Sequence, residues 1–425
     1  MSNKLGTDSY KGVRDFYPED QYIQNHIFNV WRKTVESFGY VEYGASILES
    51  SELYKAKTGD EIVNEQTYTF LDRGDREVTL RPEMTPTVAR MIAGRRRELA
   101  FPVRWYSIPN LFRYEAPQRG RLREHWQLNT DIFGVENIEA EIEIIQIAYK
   151  VMRNFGASHD DFLIRINSRK IMNLLYKLFD LDSQTSQKVS KLIDKKNKVP
   201  TETFSASINE ILGDKSEVFI DLITSPKKLL ERLGEDSPEV KEIFQITSAL
   251  EKLGITNITF DQTLMRGFDY YTGIVFEVFD TNKDNPRSLF GGGRYNDLTA
   301  IFNDESIPAV GFGAGDVTLK DFLETHNFLP TYKTTTDLYI AVLDEKYFAE
   351  TELLANNLRE QGLRVAVDFT LRKVGDQIKT ADKQKIPFVI VIGEEEIKNK
   401  KYKVKNLASG VETSVAENEI LACVK

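Results

Sequence analysis

The chain has a single cysteine, Cys423, among 425 residues. One thiol excludes an internal disulfide and a thiolate zinc site, and it fits a reduced compartment. Histidine is nearly as scarce: His26, His125, His159 and His326 are scattered and show no metal-ligand spacing. No apolar run approaches the ~20 residues of a membrane span. The opening MSNKLGTDSYKG lacks an apolar signal core, so export is not expected. No GxxxxGK followed by Ser or Thr occurs, which argues against a P-loop nucleotide site. A cytoplasmic protein with no tightly bound metal and no membrane association is therefore expected. Excess positive charge is missing too, and the formal net charge of −9 argues against a generic polyanion binder. Phosphate contacts need only a local patch, however. Arg95–Arg97 and the arginines near residue 120 are candidates, and so is the lysine run Lys398–Lys405, which reads equally as a solvated turn.

What is present is ample apolar material. The hydrophobic fraction is 41% and the aromatic fraction 11%, enough for large cores. At ~100–200 residues per domain the length suggests two to four domains. Ile23, Ile27, Val30, Trp31 and Val35 recur at helical spacing between Asp20 and Phe38, a stripe that suits either a core or a subunit contact. Strand character from Tyr40 to Leu48 precedes a hairpin whose turn is Asp72-Arg73-Gly74-Asp75. Leu80–Thr87 then heads a helix reaching about Gly94, with Pro86 in its first turn. There Glu83 and Thr85 either cap the helix or stand at a strand end, where they could hold a substrate amine.

The densest polar chemistry lies in FRYEAPQRGRLREHWQLNTD, residues Phe112 to Asp131. Strand-like flanks enclose a loop punctuated by Pro117 and Gly120 and carrying Arg119, Arg121 and Arg123. Arg113 and Glu115 stand at its base. Guanidinium forks match phosphate, and a carboxylate accepts from a base amino group, so the stretch suits an anionic, partly planar ligand. A solvated loop is the alternative. Further on, Glu139–Phe155 reads as a helix, Phe162–Ile166 as a strand and about Lys170–Leu253 as a helical, charged region. Gly291-Gly292-Gly293 is expected to precede a helix. The strand Ala309–Phe312 followed by Gly313-Ala314-Gly315 mimics a dinucleotide fingerprint but lacks its third-glycine spacing. Beyond the linker-like NFLPTYKTTTD, short apolar strands alternate with helices, which implies a small α/β domain.

Taken in order, these motifs resemble the histidyl-tRNA synthetase family of class II aminoacyl-tRNA synthetases over nearly the whole chain. Phe112–Glu115 with its loop and Asp131 is similar to the class's second motif. Leu80–Thr87, RGFDYYTG (Arg266–Gly273) and GGGRYNDL (Gly291–Leu298) resemble segments of the histidine-specific family, and residues 338–425 resemble its anticodon-binding domain. The resemblance implies an α+β catalytic domain on an antiparallel sheet, in two parts at residues 1–169 and 254–326. A helical insertion would occupy 170–253, a linker 327–337, and an α/β anticodon-binding domain 338–425. It also implies ATP with Mg²⁺, L-histidine and tRNA-His as partners, and a homodimer.

By the same resemblance, Arg113 and Arg266 would be catalytic, on either side of the α-phosphate. Glu115, Arg121 and His125 would hold the rest of ATP, His125 standing where a stacking phenylalanine is common. Glu83, Thr85, Gln127, Asp131, Arg266, Tyr270, Tyr271 and Tyr295 would hold histidine, and Gln118, Arg119 and Arg123 the tRNA acceptor end. Three further departures stand out. Val317 and Thr318 replace the acidic residue and arginine of the third motif, Ala116 a basic residue before the loop proline, and Ser46 the first motif's proline. They keep two alternatives open: a catalytically silent, histidine-sensing regulatory subunit of ATP phosphoribosyltransferase, or a non-catalytic tRNA-binding module.

Overall fold

The strand Glu124–Phe133 sets the layering of the larger part of the chain. In the computed structural model, which describes residues 5–55, 66–196, 199–265, 270–303 and 305–425, side chains alternate across it with a period of two. Leu128 and Ile132 enter the main hydrophobic core, whereas Gln127, Asn129 and Asp131 line a recess on the opposite face. The chain divides into two compact units, Met1–Pro330 and Thr331–Lys425.

The larger unit is built on a nine-stranded sheet. Its path runs Val41–Glu42, Val103–Ser107, Glu124–Phe133, Ala309–Gly315, Ser288–Arg294, Ile274–Asp280, Phe162–Ser168, Ile258–Phe260, and Asn110–Phe112 also pairs with Glu124–Phe133. Interior pairs are antiparallel, as expected, and the outermost pair at each edge is parallel. On the core face, Ile27, Trp31 and Val35 from the helix Pro18–Glu36 meet Ile144, Ala148 and Val151 from Glu139–Asn154. Ile23 and Val30 pack at the rim of that core. The amphipathic stripe of the first helix thus faces the chain's own interior.

The charged stretch after residue 168 forms the helices Arg169–Leu178, Ser183–Lys195, Thr201–Leu212, Ser216–Thr224, Pro226–Leu233 and Pro238–Lys252. Ser168, Asp182, Ser225 and Ser237 start four of them, each accepting a hydrogen bond from the backbone N–H three residues on. Ile171, Leu175, Ile193, Ile208 and Phe219 join the main core, so these helices extend it rather than forming a separate body. On the other face of the sheet, Val88 and Ile92 from Thr85–Arg95 pack with Phe133, Tyr270, Tyr295 and Ile307.

Four sequence expectations change. Gly291–Gly293 lie inside the strand Ser288–Arg294, not before a helix. A Cβ on Gly291 would stand 2.2 Å from the Phe276 carbonyl oxygen, and one on Gly292 1.9 Å from that of Gly311, so the strands approach too closely for side chains. The strand expected to end at Phe312 continues to Gly315, and the helix after it begins at Asp316. Between Tyr40 and Leu48 only Val41–Glu42 pairs as strand before Leu48–Ser50 begins. Phe328 and Leu329, read as linker, pack against the main core.

The smaller unit has a five-stranded sheet in the order Val365–Val367, Leu338–Val342, Phe388–Ile392, Lys401–Asn406, Glu412–Ala416. Its first three strands are parallel and the last two antiparallel. Leu338 and Ile340 enter one core and Tyr339 another, so the sheet is buried on both faces, as a mixed α/β sheet requires. The lysine run resolves into a hairpin edge: Lys405 pairs with Glu412 directly opposite, and Lys398 with Glu394 one helical turn away.

Candidate active site

Two carboxylate–tyrosine pairs line the recess above Glu124–Phe133. Tyr270 donates its hydroxyl proton to Glu83 at 2.9 Å, with Thr85 Oγ1 at 3.3 Å. Tyr295 donates to Asp131. Thr85 is therefore not the helix cap: Met84 occupies that position, and Thr85 is the first helical residue with its hydroxyl turned to Tyr270. Tyr271 closes the recess, its ring 5.0 Å from that of Tyr270. Burial pushes the Asp131 carboxyl up to about 7, and the hydrogen bond from Tyr295 only partly opposes this.

Glycines on the neighbouring strand make room for these side chains. In the antiparallel register Gly311 lies opposite Asp131 and Gly315 opposite Gln127, with Gly313 between them. A Cβ on Gly311 would stand 2.0 Å from Asp131 Oδ1, and one on Gly313 2.7 Å from Gln127 Cδ. The sequence Gly311-Phe312-Gly313-Ala314-Gly315 therefore alternates glycine toward the site with apolar residues toward the core.

Beside the recess lies a cleft of about 270 Å³, and Arg113, Gln127 and Gly313 border both. Arg113 Nε donates to the Pro82 carbonyl at 2.9 Å, which anchors the guanidinium at this junction. Glu115 and Arg121 face each other across the cleft at 3.2 Å. His125 lines it as well, and burial together with the nearby Arg113 and Arg14 guanidinium groups pushes its imidazole down to about 3. The ring is neutral at physiological pH and presents a flat, uncharged face.

The loop tip is more firmly tied than the sequence suggests. Arg119 donates to Asn285 at 2.9 Å, while Gln118 accepts from Arg287 at 2.9 Å. Arg123, expected at the acceptor end, is buried: its guanidinium stacks 4.0 Å over the Tyr114 ring and bonds the Tyr10 hydroxyl and the Glu115 carbonyl. It clamps the N-terminal segment to the hairpin base, where Gly12 leaves no room for a Cβ beside it. Arg266 lies outside the described residues.

Sequence reasoning passed over Asn129 in the recess, Glu277 in the cleft, and Arg14. Arg14 pairs with Asp316 at 2.7 Å, and Asp316 also accepts from the Trp126 N–H, joining three distant segments. Arg294 of the glycine strand forms a buried, two-pronged ion pair with Glu141. A period-two reading of residues 124–133 would have flagged Asn129; the other three emerge only from long-range packing. A cavity of about 830 Å³ lies apart, lined by Arg95–Arg97, and contains none of the residues expected to hold ATP, histidine or the acceptor end.

The antiparallel sheet with a hairpin cleft on one face belongs to the class II aminoacyl-tRNA synthetase fold. A family profile described as histidyl-tRNA synthetase matches residues 12–317, and one described as an anticodon binding domain matches residues 337–425. The histidine–tRNA ligase of Leptospira biflexa is 42% identical over 99% of this chain and 98% of its own length. That of Opitutus terrae is 36% identical over 98% of both. Among solved structures, the histidyl-tRNA synthetase from Nostoc sp. PCC 7120 superposes with a TM-score of 0.82 at 22% identity, covering 99% of each chain. This chain belongs to the histidyl-tRNA synthetase family.

Proposed function

We propose that the chain is a histidine–tRNA ligase that activates L-histidine with ATP and transfers it to the 3′ end of tRNA-His. The observation that carries this reading is the shared border of recess and cleft at Arg113, Gln127 and Gly313. A carboxylate held from one side there meets a phosphorus atom held from the other. An oxygen of histidine's carboxylate attacks the α-phosphorus, the bond to the bridging oxygen breaks, and pyrophosphate leaves. A hydroxyl of the terminal adenosine then attacks the acyl carbon, and AMP leaves.

In the first step charge grows on the α-phosphoryl oxygens, so fixed cations lower the barrier. Arg113 supplies one, and Arg266 is assigned the opposite side. Glu115 accepts from the adenine amino group, the neutral His125 ring stacks on the base, and Arg121 turns from Glu115 to the outer phosphates. Glu83, Thr85, Gln127, Asp131 and the three tyrosines Tyr270, Tyr271 and Tyr295 hold the ammonium group and the imidazole. A site with polar partners for both ring nitrogens rejects apolar analogues strongly. Mg²⁺ enters with ATP. Among the described residues no group of three or more His, Cys, Asp or Glu is arranged to hold a metal alone, and Glu277 is a carboxylate within the cleft.

Gln118 and Arg119 are assigned to the acceptor end and the smaller unit to the anticodon. The enzyme is assigned to the cytoplasm as a homodimer. Among the described residues no helix is long and apolar enough to cross a membrane. A histidine-sensing regulator needs the recess but not the adjoining cleft with Arg113 and Glu115, so the cleft favours the ligase.

Histidine-dependent ATP–pyrophosphate exchange, followed by charging of tRNA-His, tests the proposal. A folded, histidine-binding protein without exchange would overturn it. Arg266→Ala is expected to abolish exchange while leaving histidine binding mostly intact; exchange within a few-fold of the parent would remove Arg266 from the mechanism.

A further inference from the structure

A polyphosphate in the cleft requires cations at its outer end, and Arg121, assigned there, is paired with Glu115 across the cleft. Thr318 carries no charge, and its hydroxyl donates to the Leu289 carbonyl at 2.6 Å, holding the helix start against the glycine strand. Neighbouring cations are engaged elsewhere. Lys320 pairs with Glu324 along its own helix, Arg14 with Asp316, and Arg119 reaches Asn285 with Asp321 close by. Arg123 is buried under Tyr114 and Tyr10.

Arg287 differs from all of these. It directly precedes Ser288, which lines the cleft, and among the described residues it forms no ion pair. Its guanidinium rests on a neutral amide, donating to Gln118 Oε1 at 2.9 Å. A Cβ built on Gly120, in the loop that closes the cleft, would stand 3.5 Å from Thr318 Cγ2, 3.8 Å from Asp321 Oδ2 and 4.0 Å from Arg287 Cδ, and Arg287 forms no ion pair with that carboxylate. The stem of Arg287 and the methyl of Thr318 therefore flank the same point of the loop. A neutral partner is displaced at little cost, whereas a carboxylate partner would have to be outcompeted.

We infer that Arg287 joins Arg121 on the outer phosphates of ATP and binds the outermost one, leaving Gln118 to do so and occupying the space above Thr318. This rests on the proposed ligase reading for its substrate but not for its test. Charge-assisted hydrogen bonds of this kind correspond to about a ten- to hundred-fold change in affinity.

The test is calorimetric binding of ATP and of AMP, with Mg²⁺, to the full chain. Arg287→Ala is expected to weaken ATP about ten- to hundred-fold while changing AMP less than two-fold, because AMP has no outer phosphates. Arg287→Ala combined with Thr318→Arg is expected to recover most of the ATP affinity, a gain that a merely structural Arg287 would not produce. Equal losses for ATP and AMP, or ATP binding within two-fold of the parent, would overturn the assignment. A parent chain that binds ATP in this way but performs no exchange would refute the ligase reading alone.

Discussion

With its carboxyl raised to about 7, Asp131 is close to half-ionised in neutral solution. A histidine ammonium or imidazole N–H brought against it favours the ionised form, so histidine affinity is expected to fall as pH drops from 8 to 6. Calorimetry across that range checks this, and Asp131→Asn should bind histidine poorly with the pH dependence removed. The folded-state value lies above the ordinary 3.8, so the folded chain holds the extra proton between about 4 and 7; stability falls as pH rises through that window, and the full loss is present above 7. Asp131→Asn is accordingly expected to stabilise the protein at pH 8, by on the order of 2–4 kcal/mol, and hardly at all at pH 4. Urea unfolding at the two pH values measures the difference. His125 works in the opposite sense. Its folded value of about 3 lies below the ordinary 6.5, so the unfolded chain binds the proton and stability is lost as pH falls from about 6.5 toward 3. His125→Phe should remove that loss and keep the KM for ATP within a few-fold, since a flat neutral ring is retained. At this scale Glu83 and Arg113 stand out in the sequence by residue type and place, and Asp131 only by its resemblance to the class's second motif. The role of Arg123 was not legible, because its partner Tyr10 is 113 residues away.

At the scale of elements, the site is a strand of polar side chains laid over a strand of glycines. Gly313→Ala places a methyl group against the Gln127 side chain and against no backbone atom among its three nearest neighbours. Gln127 must therefore move while the sheet stays intact. The expected outcome is a roughly ten-fold rise in the KM for histidine with a melting temperature within a few degrees of the parent, read by exchange kinetics and thermal unfolding. Gly311→Ala also meets the Thr130 carbonyl at 2.7 Å and should lose stability as well. The alternation of glycine and apolar residues is visible in residues 311–315, but its meaning depends on strand pairing across some 180 positions. Pairing of that range is not encoded in local pattern.

For the molecule as a whole, the ion pair of Arg294 and Glu141 ties the glycine strand to the helix Glu139–Asn154. Breaking such a buried pair leaves an uncompensated charge, and Arg294→Ala is expected to destabilise the protein by about 3–5 kcal/mol. Chemical unfolding of the purified variant checks this. The unit Thr331–Lys425 has cores of its own and contributes none of the candidate site residues. Truncation after Pro330 is therefore expected to keep histidine-dependent exchange and to lose charging of tRNA-His. Loss of exchange in a folded truncated chain would show that adenylation depends on the smaller unit.

The order of motifs, the helix starts at Ser168, Asp182, Ser225 and Ser237, and the alternation along Glu124–Phe133 were determined by the sequence alone. Each rests on hydrogen bonds or spacings within a few residues, where local chemistry decides. Tertiary structure alone decided that Gly291–Gly293 form a strand, that the first helix buries its stripe inside the chain, and that Arg287 stands beside Thr318. Those outcomes depend on which distant backbones pack together, and close approach of backbones is what removes side chains from one strand and gathers charge at the end of another.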